Sequence, residues 1–320
     1  MTIALWPASP ALADPARPGN TVSVVESLQP PVSGVMVDIV GGDAFVRVRA
    51  DVGVEVRVPG YLGEPYLWIR PDGTVWRNAA SPATAQNENR YLTDAVPDVT
   101  TRPDAALPEP SWQRYGSGGT VLWHDHRVHW MGSGLPPTID PDGLVQRWEV
   151  PLRVDGVEVM VTGTLRRLDG ATPWWWLAAG AAAGLTWMAR RRQTTLGFIV
   201  AGTGLFAATV AWWAWVALPT PARSAPALAL LATSAAVMAA SGAFRRLTVV
   251  GGPLVAGAGS ALLLVAWLGA GGVAAAVVPG LSITWPWRLA IPVSLGVGVV
   301  ALIAGAQTAS RSRAPVSLEG

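Results

Sequence analysis

Apolar and polar residues alternate with period two through most of residues 21–165, and long apolar runs replace that pattern after Asp169. Nine short alternating runs stand between turn signals, at residues 21–28, 35–40, 45–50, 54–58, 66–70, 74–77, 120–124, 145–150 and 157–165. In Phe45-Val46-Arg47-Val48-Arg49 and Val54-Glu55-Val56-Arg57-Val58 every second residue is apolar, the mark of a strand with one buried and one wet face. Asp72-Gly73 and Asp155-Gly156 are dipeptides that favour the positive φ of tight hairpins. Many short strands within one segment predict an all-β, Ig-like sandwich over residues 14–169. Residues 78–110, rich in Pro, Asp, Asn, Thr and Ala, are expected to form a long irregular loop.

Five apolar segments follow, at about 174–189, 196–218, 226–243, 249–270 and 289–306. A hydrocarbon core needs roughly 20 residues of helix, so residues 170–310 predict a membrane bundle of about five helices. The Trp174-Trp175-Trp176 cluster suits an interfacial anchor. Residues 271–286 read either as an outer loop dipping into the membrane or as the extended end of the fourth helix. Gly180-xxx-Gly184 and the Gly251–Gly259 run of small residues suit close helix packing.

Charge fixes an expected orientation. Arg190, Arg191, Arg192, Arg245, Arg246, Arg311 and Arg313 flank one set of segment ends, and only Arg223 and Arg288 flank the other. The richer set belongs in the cytoplasm, which puts residues 14–169 outside the cell membrane and the tail 311–320 inside. Residues 1–13 end in the small-x-small signature Ala11-Leu12-Ala13 and read as a signal peptide, short and without a basic n-region.

Composition narrows the chemistry. Residues 14–169 carry 20 acids against 14 arginines, while the rest carries nine arginines and one acid, Glu319. With no dense basic stretch in the N-terminal part, nucleic acid is excluded as a partner. Cysteine is absent, which removes disulfides, thiolate metal sites and cysteine nucleophiles. The apolar half holds no Asp, Glu, His or Lys from Ala171 to Leu318, so ion or proton transport lacks the intramembrane groups it uses.

All three histidines fall in one run, Trp123-His124-Asp125-His126-Arg127-Val128-His129-Trp130, followed by Met131. On an extended strand His124 and His126 share a face, their Cα atoms about 6.6–6.8 Å apart. With His129 joining after a bend and Met131 as a soft fourth ligand, the set suits copper. Trp123, Asp125, Arg127 and Trp130 would line such a binding site. The competing reading is an aromatic and polar network in which Asp125 pairs with Arg127. A serine hydrolase would draw on Ser117 or Ser133, a histidine and Asp125, yet neither serine lies in a nucleophile elbow.

Three resemblances bear on these readings. Gly119-Thr120-Val121-Leu122-Trp123-His124-Asp125-His126 resembles the copper-ligating strand of multicopper oxidases over eight residues, but one histidine pair without cysteine excludes their oxidase mechanism. The stretch Trp148-Glu149-Val150-Pro151-Leu152-Arg153-Val154-Asp155-Gly156, with Val161-Thr162-Gly163-Thr164, resembles the last hairpin of CopC-type copper-binding sandwiches. That family ligates copper through a mature N-terminal histidine where this chain has Asp14-Pro15, so the resemblance implies the fold alone. The whole chain resembles a group of actinobacterial multi-pass envelope proteins. Gly41-Gly42-Asp43-Ala44-Phe45, Tyr61-Leu62-Gly63-Glu64-Pro65-Tyr66-Leu67, Pro71-Asp72-Gly73, Ser81-Pro82-Ala83-Thr84 and the Trp123–Met131 run carry it. It implies an exported β domain before membrane helices and no particular activity.

The expectation is therefore a non-enzymatic multi-pass membrane protein whose outer domain binds a partner or ligand. The bilayer is its first partner, and another envelope protein, or a second copy through the Gly/Ala-rich helices, is the next. Copper handling through His124, His126 and His129 is the alternative, and a membrane-bound hydrolase a weaker one.

Overall fold

The structure, a computed structural model, describes residues 15–88, 108–131, 136, 138–245 and 251–311. The leader, Asp14, Ser133, Arg246 and the tail beyond residue 311 lie outside the described residues, as does most of the expected loop, from 89 to 107. The chain divides into two units, Met1–Leu168 with Pro219–Arg223, and Asp169–Leu218 with Ser224–Gly320.

Among its described residues the first unit holds ten strands: β1 (Thr21–Gln29), β2 (Val35–Val40), β3 (Phe45–Ala50), β4 (Val56–Pro59), β5 (Pro65–Ile69), β6 (Val75–Asn78), β7 (Trp112–Gly116), β8 (Thr120–Trp123), β9 (Leu144–Val154) and β10 (Val157–Arg167). They form an antiparallel seven-stranded sheet, ordered β1-β10-β9-β4-β5-β6-β7, and a three-stranded one, β2-β3-β8. The alternation in the sequence becomes alternation in burial. Val56 and Val58 are buried around the exposed Arg57, and Trp148, Val150, Leu152 and Val154 are buried around the exposed Glu149 and Arg153. Val46, Val48 and Val121 of the small sheet join Val56, Ile69, Val150 and Val161 of the large one in a single apolar cluster. Each such side chain contributes about 1.5–3 kcal/mol when fully buried, and the cluster ties the two sheets together.

The β9–β10 turn has Asp155 at φ 46° and Gly156 at φ 84°, the two positive values a type I′ hairpin needs. Asp155 Oδ1 also accepts the Glu55 amide at 2.8 Å. Three features depart from expectation. β7 was not legible, because its sequence, Trp-Gln-Arg-Tyr-Gly, places two polar residues side by side; pairing with β6 recruits it as an edge strand. Within the expected irregular loop sits a short helix, α1 (Pro82–Gln86), capped by the Ser81 side chain accepting from the Ala83 amide, with proline in its first turn. Finally, β8 ends at Trp123, so the histidines do not lie on a strand.

The second unit is helical. α2 (Leu177–Ala189) follows a 3₁₀ turn at Pro173–Trp176, and α3 (Gln193–Ala217), α4 (Ala227–Phe244), α5 (Gly251–Ala274) and α6 (Trp285–Arg311) complete it. Four of these, α3 to α6, are long and apolar enough to cross a membrane, which marks a multi-pass membrane protein; α2 has 13 residues. In the stretch 271–286, α5 runs on to Ala274, and the segment after it buries Val278 and Leu281.

Small residues set the helix contacts. A Cβ on Gly259 would meet Leu302 N at 2.6 Å and Gly298 O at 2.8 Å, and one on Gly305 would meet Ala256 N at 2.5 Å and Gly252 O at 2.7 Å. Glycines seven apart on α5 and α6 thus face one another, and the backbones touch. Gly180 and Gly184 behave otherwise. Nothing lies within 4 Å of a Cβ built on either, while the neighbouring Ala179 and Ala183 pack against Gly296 of α6.

Candidate functional site

The histidine run is a buried loop at the end of β8. A buried loop must satisfy its backbone without a sheet ladder, and side chains from distant strands do so here. Tyr61 Oη accepts the His126 amide at 2.9 Å, Gln146 Nε2 donates to Arg127 O at 2.9 Å, and the Ser23 hydroxyl donates to Val128 O. Within the loop, the Val128 amide donates to Asp125 O at 3.1 Å and closes a tight turn.

That turn overturns the expected extended geometry and gathers all three imidazoles. The His126 and His129 ring centroids lie 5.4 Å apart, and those of His124 and His129 6.3 Å, both edge to face. His124 is fully buried, stacks on Phe45 at 4.2 Å and shares a hydrogen bond between Nδ1 and Ala44 O. His129, also buried, has Nδ1 3.1 Å from Trp130 O. His126 stacks on Tyr61 at 6.0 Å.

Asp125 is the electrostatic centre. Fully buried, it accepts from the Trp123 indole at 2.9 Å, from Arg127 Nε at 2.7 Å, from Arg127 Nη2 at 2.6 Å and from the Arg127 amide at 3.1 Å. This fork is the paired arrangement a buried carboxylate requires. Burial pulls the Arg127 guanidinium down, but the hydrogen bonds and charge of Asp125 outweigh it, and its pKa lies above the ordinary arginine value. The same guanidinium sits over the Tyr61 ring at 4.9 Å. Burial, then the charge of Asp125, drives the Tyr61 phenol well above its ordinary value; burial does the same to Tyr66.

Sequence reasoning found the histidines and missed half of the cluster. Tyr61 donates to Asn87 Oδ1, and Asn87 also bonds Tyr66; with Arg77 and Tyr115 they extend the polar region. Three of the chain's four tyrosines thus share a region with its three histidines. Their positions, 61, 66 and 115, lie on strands or loops remote in sequence, so only the topology brings them in. Met131 is half-buried at the end of the run, as is Trp130.

His124 and His129 each commit Nδ1 to a backbone carbonyl, Arg127 occupies the turn between them, and no group of three or more His, Cys, Asp or Glu suited to a metal ion occurs among the described residues. The side chains seen to hold Asp125 are Trp123 and Arg127. No family model, curated protein or solved structure matches the chain.

Proposed function

We propose that this is a non-enzymatic, multi-pass cell-membrane protein whose N-terminal region, an Ig-like sandwich, stands outside the membrane and binds a partner or ligand. What carries the reading is the division of chemistry. The described helices α2 to α5 are without acids, and Asp125, the one carboxylate amid the histidines, is fully engaged by neighbours that hold a loop in place. A carboxylate held in this way fixes the shape of the loop. Five spans follow if the 3₁₀ turn and the 13-residue α2 act together as a short crossing of roughly 26 Å at 1.5 Å per residue. The arginine asymmetry then places the β region outside and the C-terminus in the cytoplasm. The likeness to actinobacterial envelope proteins fits the same arrangement.

Reporter fusions after Arg191 and Thr220 test the orientation: activity of an exported reporter is expected at Thr220 alone, and the reverse overturns it. Photocrosslinking from position 126 or 130 in cells is expected to trap one envelope protein reproducibly, and a protein that remains uncrosslinked at both positions counts against a docking role. Copper handling is the second reading, and its support is the turn that brings His124, His126 and His129 together. Calorimetric titration of the full chain with Cu(I) and Cu(II), beside a triple His→Ala variant, decides it. Sub-micromolar binding lost in the variant would establish copper, and heats equal in both proteins would remove it.

A further inference from the structure

Arg77 is the anomaly of the β unit. It is half-buried on β6, its Nε is buried without a hydrogen-bond partner, and its guanidinium lies over the Tyr115 ring at 4.9 Å. No ion pair or hydrogen bond of this side chain occurs among the described residues. Arg127, by contrast, is neutralised by the Asp125 fork. A buried N–H without an acceptor is costly, the more so on a charged group.

A cavity of about 30 Å³ lies beside it, lined by Arg77, Tyr66, Tyr115, Asn87, His124 and Glu88 among others. That volume holds one water-sized occupant. Its wall carries the Arg77 guanidinium and the phenols of Tyr66 and Tyr115, each able to donate. Burial keeps the Tyr66 phenol protonated across the neutral range, so it stays an O–H. Glu88 is the only acid on the wall, is exposed, and forms no ion pair among the described residues.

We infer that this cavity is a binding site for a single small anion of chloride size, held by Arg77 with Tyr66 and Tyr115. The anion supplies the acceptor that Arg77 Nε lacks and ties β6 to β7 beside the histidine loop. The site goes beyond the reading of a docking domain and stands whether or not a partner is found.

The test uses the full chain in detergent, moved into gluconate, an anion too large for the cavity, and titrated with chloride at constant ionic strength. The thermal midpoint of the wild type is expected to rise and saturate with chloride. Arg77→Met is expected to lose that response, and Tyr115→Phe to need several-fold more chloride for half the effect. Glu88→Gln, which removes the one repulsive charge, is expected to need several-fold less. Crystals grown in bromide should show one anomalous peak between Arg77 and Tyr115, a result that does not depend on any variant folding. A midpoint in the wild type indifferent to chloride, an unchanged response in Arg77→Met, or bromide crystals without a peak there would each overturn the assignment.

Discussion

The two units bury opposite things. The β unit packs large apolar side chains and then admits charge among them: Asp125, His124 and His129 are as fully enclosed as Val48 or Ile69. The helical unit buries almost nothing but Ala, Gly, Val and Leu, and its helices approach until a glycine on one nearly touches the backbone of the next. The β unit is specified by side-chain complementarity and polar matching, the helical unit by the absence of side chains at chosen positions. Each solution suits its solvent. Apolar burial drives folding in water, whereas helices surrounded by lipid gain from close backbone packing because lipid already satisfies their apolar surface.

The sharpest way to break this contrast lies in the helical unit. Gly259→Leu forces a side chain into the α6 backbone, where even a Cβ meets Leu302 N at 2.6 Å. Overpacking costs about 1–3 kcal/mol when side chains give way, and more where the obstacle is backbone, so loss of the monodisperse folded protein in gel filtration is expected. Gly180→Leu introduces the same side chain into open space and is expected to leave elution and thermal midpoint unchanged. If the two variants behave alike, glycine approach is not what specifies the bundle.

Next in size is the buried fork. Asp125→Ala strands the Arg127 guanidinium and the Trp123 indole, and removing one member of a buried pair costs about 3–5 kcal/mol. Arg127→Met is expected to cost a similar amount by stranding Asp125. Asp125→Ala with Arg127→Met should cost much less than the two single changes together. Denaturant unfolding of the three variants measures the coupling, and strict additivity would mean that the fork contributes nothing as a unit.

These two cases also show what a sequence discloses. Eight of the strands were legible with nearly their observed limits because burial on one face writes itself as alternation, and the Asp155-Gly156 turn because only positive φ closes it. β7 was hidden, since an edge strand held by one neighbour tolerates adjacent polar residues. At the site, the pairing of Asp125 with Arg127 was readable as a near neighbour in sequence, whereas the turn closed by Val128 and Asp125 was not. Nothing in the octapeptide announces Ser23, Tyr61 or Gln146, the distant side chains that make the turn possible. In the helical unit the small-residue motif at Gly180 and Gly184 was legible as a motif, but its orientation was not: the packing face of α2 is carried by Ala179 and Ala183 instead.

A smaller effect separates the units by pH. Tyr61 and Tyr66 have ionisations raised above the ordinary value of 10.0, first by burial. The unfolded chain releases these protons as pH passes about 10 while the folded unit keeps them, so the stability they contribute is complete below that pH and falls above it. Each tyrosine accounts for about 1.4 kcal/mol per pH unit. Tyr61→Phe and Tyr66→Phe should each remove one such increment from the alkaline slope of β-unit unfolding. The described helical unit has no tyrosine, so its own unfolding should show no such slope.

The mildest prediction concerns Trp68, where the β unit makes its surface from the materials the helical unit keeps at its ends. The guanidinium carbons of Arg57 and Arg70 each lie 4.8 Å from the Trp68 ring, and Trp112 meets it edge-on at 5.6 Å. The indole N–H of Trp68 is buried without a partner, so the ring is held by its faces and not by its polar handle. Arg57→Gln and Arg70→Gln are each expected to cost about 0.5–1 kcal/mol. Salt distinguishes the causes. Arg57 also pairs with Glu55 at 2.8 Å, an exposed contact that high ionic strength screens, whereas Arg70 forms no ion pair among the described residues. The cost of Arg57→Gln should therefore shrink in 1 M salt towards that of Arg70→Gln, about 0.5 kcal/mol, and equal costs at low salt would assign the whole effect to the ring.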